Sequence, residues 1–119
     1  MASYRDLKVY EKAYALVLEI YRATNGMPKE EQYGLKSQIR RASVSIPLNI
    51  AEGYGKMAGK RETARYLMMA RGSCCEMEVL VSLLHDLGYW QREAYEKFTE
   101  GYGEVGKMLA GLIKTVTDN

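Results

Sequence analysis

The sequence predicts an all-α fold, an antiparallel up-down-up-down four-helix bundle, on three observations. Apolar residues recur at spacings of three and four in four successive segments. No stretch of useful length alternates apolar and polar with period two, so no strand is expected. The breaks between segments are short, which makes consecutive helices antiparallel neighbours. With 119 residues there is material for one hydrophobic core and not two, so residues 1–119 are read as a single domain. A composition 47% hydrophobic and 27% charged excludes a disordered chain.

The first segment, about 6–24, sets Leu7, Tyr10, Tyr14, Val17, Leu18 and Tyr21 on one face. Asp6 is its expected N-cap and Asn25-Gly26 its stop. Pro28 then stands near the start of a new helix, with Glu30 and Glu31 at its positive end. This second segment, about 31–53, has Leu35, Ile39, Ala42, Ile46 and Ile50 as its core stripe. Pro47 lies inside it, removes one backbone donor and crowds the Ser43 carbonyl, so a kink is expected there.

The third segment, about 60–87, carries the clearest seam: Leu67, Ala70, Cys74, Met77, Val81 and Leu84 alternate by three and four. Gly72 interrupts it at a cost of about 1 kcal/mol relative to alanine, and is expected to admit another backbone. Gly88 ends this helix, and Tyr89-Trp90 caps the turn. The fourth segment, about 91–117, aligns Ala94, Phe98, Val105, Met108, Leu112 and Val116, loosened by Gly101, Gly103 and Gly106.

Several chemistries are excluded at this level. Adjacent Cys74 and Cys75 point about 100° apart on a helix and cannot form an unstrained disulfide. They are read as small apolar residues in a reducing compartment, so the expected location is cytoplasmic. No run is long enough to span a membrane, and Met-Ala-Ser-Tyr-Arg-Asp forms no apolar h-region, so no leader is expected. A single histidine leaves no Cys/His zinc set; His85 is read as a solvated or C-terminal helix residue. Glu76 and Glu78 lie two apart on a helix and point to different sides, so they share neither a proton nor a metal. The Glu-x-x-His motif of di-metal bundles, a Ser-His-Asp set and a phosphate-cradling glycine loop are all missing. Neither an enzyme nor a cofactor is expected.

Charge is more informative. From Lys36 to Arg71 eight bases stand against two acids, while from Gly72 onward eight acids stand against four bases. Such asymmetry suits either a polyanion or oppositely charged surfaces of neighbouring subunits. Arg40, Arg41, Lys56, Lys60, Arg61 and Arg65 are the candidate nucleic-acid contacts; the alternative is a solvated or inter-subunit surface. A polar stripe of Gln38, Arg41, Ser45, Asn49 and Glu52 runs beside the second core stripe, and Ser73 and Glu76 share a face of the third helix. The structural expectation is a network in which Asn49, Glu52, Arg41 and Glu76 fix the Pro47 kink and the packing of helices two and three. The alternatives are a ligand or RNA pocket lined by Asn49 and Glu52, or a subunit contact. Ten tyrosines against one Phe and one Trp suit subunit interfaces, since tyrosine joins a large apolar ring to a polar tip. Val44, Leu48, Tyr54 and Met57, off the core stripe, are the apolar interface candidates, with Tyr89 and Trp90 as anchors.

The block Ser45-Ile46-Pro47-Leu48-Asn49-Ile50-Ala51-Glu52-Gly53, within the stretch from Leu35, resembles the signature of the four-helix bundle protein family. That family is also called the 23S ribosomal RNA intervening-sequence protein family. The opening Tyr4-Arg5-Asp6-Leu7-Lys8-Val9-Tyr10 and the block Ala70-Arg71-Gly72-Ser73, followed by Glu76 and Glu78, agree with it. Departures are Tyr4 for a usual Phe, Leu48 for a usual small polar residue, and Val79 for a usual Thr. The resemblance implies a helical bundle in a ring-shaped homo-oligomer, a pentamer, from genes lodged in intervening sequences of bacterial ribosomal RNA genes. A related branch supplies accessory proteins to reverse transcriptases of diversity-generating retroelements, with a basic surface toward nucleic acid. The partners implied are therefore further copies of the chain, RNA or DNA, and a reverse transcriptase. No catalytic activity is implied.

Overall fold

A computed structural model describes residues 3–55 and 59–118 of the chain. Four helices pack into a rod 46 × 22 × 20 Å: α1 (Lys8–Thr24), α2 (Leu35–Gly55), α3 (Lys60–Asp86) and α4 (Arg92–Thr117). The described residues contain no strand. α3 is the centre of the bundle, packing against both α2 and α4, and α1 closes the arrangement against α2 and α4.

α1 differs from expectation in which face it buries. Val9, Ala13, Leu16, Ile20 and Thr24 point inward, while Tyr14, Leu18 and Tyr21 face water and Leu7, Tyr10 and Val17 are half-buried. Two apolar stripes compete on this helix. The one with slimmer side chains enters the core, and the tyrosine stripe keeps its hydroxyls outside. Asp6 is not the N-cap either. A 3-10 turn, Tyr4–Asp6, precedes the helix, and Ser3 caps it: its Oγ accepts the Arg5 N–H at 3.2 Å while Asp6 takes the Ser3 N–H at 3.1 Å.

α2 starts four residues later than expected because Pro28 caps a separate 3-10 turn, Lys29–Glu31. Glu31 then accepts the Leu35 N–H at 3.1 Å, satisfying one of the first donors of α2. From there Ile39, Ala42, Ile46 and Ile50 are buried as the periodicity requires, and the helix runs through Pro47 to Gly55. At Gly53 α2 and α3 approach each other closely. A Cβ there would lie 3.1 Å from Tyr66 Cβ and 3.3 Å from the Thr63 carbonyl, and Thr63 Oγ1 donates to the Gly53 carbonyl at 2.8 Å.

The α3 seam is buried throughout, from Leu67 to Leu84. Gly88, at φ +88°, ends it: the N–H groups of Tyr89 and Trp90 both reach the Leu84 carbonyl. Trp90 folds back into the core, stacked on Phe98 with ring centroids 5.0 Å apart and its Nε1–H donating to the Ala23 carbonyl at 3.2 Å. In α4 the buried set is Phe98, Tyr102, Val105 and Leu109, so Tyr102 and Leu109 extend the expected stripe. Ion pairs Lys12–Glu104 (3.2 Å) and Glu19–Lys97 tie α1 to α4 with the two helices running in opposite directions. Gly101 makes room for Leu16 between them, since an added Cβ would sit 3.0 Å from Leu16 Cδ2.

Candidate interaction surfaces

The polar stripe of α2 forms only part of the expected network. Ser45 and Ser73 bridge the two helices with hydroxyl oxygens 2.5 Å apart. Ser45 Oγ also lies 2.8 Å from the Ala42 carbonyl, so its single proton goes there and Ser73 donates to Ser45. Asn49 turns its Nδ2–H back to the Ser45 carbonyl of its own helix at 2.8 Å. Arg41 and Glu76 do not meet: no hydrogen bond or ion pair joins them among the described residues. With Gln38, Asn49, Gly72 and Ser73 they line an open groove of about 570 Å³ between α2 and α3. Glu52 is exposed one turn beyond Asn49. Gly72 opens onto the same groove, and a Cβ on it would meet nothing within 4 Å. The close backbone approach expected at Gly72 occurs at Gly53 instead.

The six bases do not form one patch. Arg40 is tied down: its Nε–H donates to Thr24 Oγ1 at 2.9 Å and Nη2 to the Tyr21 carbonyl at 3.1 Å and Asn25 Oδ1 at 3.3 Å. The guanidinium also lies over the Tyr21 ring, 4.3 Å from its centroid. Arg40 thereby serves the Tyr21 carbonyl in the last turn of α1 and two side-chain oxygens beside it. Arg65 grips Glu62 through two bonds of 2.6 and 3.0 Å, and that hydrogen bond raises its pKa still further. Lys60 and Arg61 are exposed on the first turn of α3, and Arg41 is exposed on α2, about 25 Å away along the helices at 1.5 Å per residue. Lys56 lies outside the described residues.

The apolar candidates sort differently. Trp90, expected as an anchor for a neighbour, is 8% exposed and belongs to the chain's own core. Tyr89 lies at the surface with its hydroxyl donating to Glu31 at 2.9 Å. Tyr54 is exposed, Val44 is half-buried, and Met57 lies outside the described residues. Leu48 is 58% exposed, and beside it the outward stripe of α1 adds Tyr14 at 52% and Leu18 at 47%. Together with Tyr10, Val44 and Pro47 these residues enclose an apolar groove of about 290 Å³ between α1 and α2. Tyr14 and Leu18 were legible as apolar but were assigned to the core. The signal for their real place is that α1 has more apolar positions than one buried stripe can hold.

The remaining reactive groups are quiet. Cys74 is buried, and desolvation pushes its thiol up to about 12, while Cys75 is exposed. Tyr102 is fully buried with no partner for its hydroxyl among the described residues, and burial raises its pKa. His85 stands in the last turn of α3, as expected, half-buried against the Tyr95 ring at 4.8 Å and with Nδ1 3.0 Å from Asp86. Among the described residues no three His, Cys, Asp or Glu side chains converge as metal ligands do. No helix is long and apolar enough to cross a membrane.

The chain matches the sequence profile of the 23S rRNA-intervening sequence protein family over residues 5–111. A protein of unknown function from the S23 ribosomal protein family of Bacteroides thetaiotaomicron has a similar crystal structure, with 25% identity and a TM-score of 0.81. That similarity covers 89% of this chain and 95% of the other. No curated protein matches.

The chain belongs to the 23S rRNA-intervening sequence protein family.

Proposed function

We propose that this member of the 23S rRNA-intervening sequence protein family is a non-catalytic binding module that assembles with further copies of itself through the α1/α2 face. The observation that carries this reading is the exposure of Tyr14, Leu18 and Leu48 side by side on one face. Scattered apolar residues in water are ordinary, but a contiguous groove of them marks a surface that a partner covers. Each is about half exposed in the lone chain, so covering it contributes about 1 kcal/mol, and three together help to anchor an interface. The assembly expected is a ring, a pentamer, as the resemblance implies, and its expected location is the cytoplasm, where the cysteines stay reduced.

A second element is nucleic acid. Arg41, Lys60 and Arg61 are exposed and have no acidic partner among the described residues. One copy offers too few such contacts for tight binding, but a ring repeats them and multiplies a weak phosphate contact. In the competing version the assembled surface meets a protein, such as a reverse transcriptase, and touches no nucleic acid. Light scattering after nuclease treatment tests the first element: the wild type is expected at a multiple of 13.5 kDa and Leu48→Glu at 13.5 kDa. A wild-type monomer would refute the reading. Titration with RNA and DNA at two salt concentrations tests the second. Affinity that falls steeply with salt and is lost in Lys60→Glu/Arg61→Glu supports phosphate binding, and no binding by the intact assembly favours the protein partner.

A further inference from the structure

We infer that the surface seated on the α1/α2 face is the outer side of α3 of the next copy, so that two unlike surfaces meet. This rests on the self-association proposed above. Opposite its buried seam, α3 carries a second line of Met68, Gly72, Cys75, Val79 and Leu83, at spacings of four, three, four and four. All five are exposed, Val79 most of the apolar ones at 60%. Nothing in the chain's own packing accounts for this line. A Cβ on Gly72 would meet no atom within 4 Å, so no neighbour inside the chain requires the glycine.

Shape and charge both select this occupant over a second α1/α2 face. The α1/α2 face is bulky, with Tyr14, Leu18 and Leu48 standing out. Two such faces set against each other offer ridge to ridge. The α3 line is narrow at its middle, where Gly72 and Cys75 leave a notch that a leucine fills as a knob fills a hole. Arg41 lies two turns before Leu48, and Glu76 and Glu78 flank the notch toward the end of α3. With the docked helices antiparallel, Leu48 in the notch carries Arg41 toward these two carboxylates. The parallel seating carries it away from both carboxylates, toward an Arg65 that is already paired with Glu62. A contact between unlike surfaces leaves one of each free on every pair, so addition continues until the assembly closes on itself.

Cross-linking decides between the seatings. Cys75 supplies one thiol, Leu48→Cys the other, and Cys74 is buried and out of reach. Under mild oxidation the Leu48→Cys protein is expected to give a ladder of disulfide-linked multimers, and Cys75→Ser in that background is expected to abolish it. Linked dimers that survive Cys75→Ser would mean that Leu48 meets Leu48, which overturns this inference and leaves self-association standing. So would a multimer by light scattering that does not cross-link. A monomeric wild type would remove both proposals. As a second arm, Val79→Glu should fold normally by circular dichroism and dissociate at a concentration at least about tenfold higher than wild type. An unchanged dissociation curve would also overturn the inference.

Discussion

Helix α3 has two apolar lines that differ in almost nothing but their surroundings. The inner one, Leu67 to Leu84, lies within its own chain at 0–1% exposure, whereas on the outer one Met68, Val79 and Leu83 are 41–60% exposed. α1 repeats the contrast, with Val9, Ala13, Leu16 and Ile20 inside and Tyr14, Leu18 and Tyr21 outside. Period and hydrophobicity are nearly the same on both sides. What separates them is neighbourhood: the inner lines pack against two other helices of the chain, and the outer lines face outward. An apolar stripe therefore says that a residue is to be covered, not by which chain.

The contrast is broken most sharply by truncation. Leu67→Ala or Leu84→Ala should lower unfolding stability by about 2–5 kcal/mol, while Leu83→Ala, one residue away on the outer line, should change it by about 0.5 kcal/mol or less in a monomeric background such as Leu48→Glu. Denaturant melts of the three variants check this. Equal losses at Leu83 and Leu84 would erase the distinction between the lines.

A smaller effect separates the two neighbouring arginines of α2. Arg40→Lys loses the fork that serves Thr24, Tyr21 and Asn25 and should cost about 1.5–3 kcal/mol, whereas Arg41→Lys should leave the melt unchanged. If both substitutions are silent in thermal unfolding, the role of Arg40 at the end of α1 is wrong.

The interior also sets an alkaline limit. Cys74 moves from 9.0 to about 12, and Tyr102 rises from 10.0, both chiefly through desolvation. Between these limits the unfolded chain has released protons that the folded chain retains. Stability from the two groups is thus complete below pH 9 and falls as pH rises, at most about 1.4 kcal/mol per unit for each group. Cys74→Ala/Tyr102→Phe should flatten urea midpoints measured from pH 8 to 11. Smallest of all, Gly72→Ala should raise monomer stability by up to about 1 kcal/mol, because its Cβ meets nothing and alanine favours the helix. A loss on denaturant melting of the monomeric background would show hidden crowding at that position.

Much of the bundle was legible in the residues. Ile39, Ala42, Ile46 and Ile50, and every member of the Leu67–Leu84 seam, fell where the spacing put them, because a single apolar stripe on a helix has one place to go. α1 was misread because it has two. Trp90 was misassigned because its burial depends on Gly88 turning the chain back onto Phe98, which no local pattern encodes. Among the surface residues, exposure at Leu48 was foreseen, but the use of Arg40 at the end of α1 and of Arg65 in an ion pair with Glu62 was not. Charge counting sees sign, while the use of a guanidinium as a cap or in an ion pair depends on which carbonyl or carboxylate the fold brings to it.

Hydroxyl-radical footprinting of Tyr14 and Leu18 tests most directly whether the outer face of α1/α2 is covered. In the intact wild-type protein both side chains should be labelled several-fold less than in Leu48→Glu, with Tyr33, exposed in the lone chain, labelled equally in the two. Equal labelling of Tyr14 and Leu18 in both proteins would contradict the account.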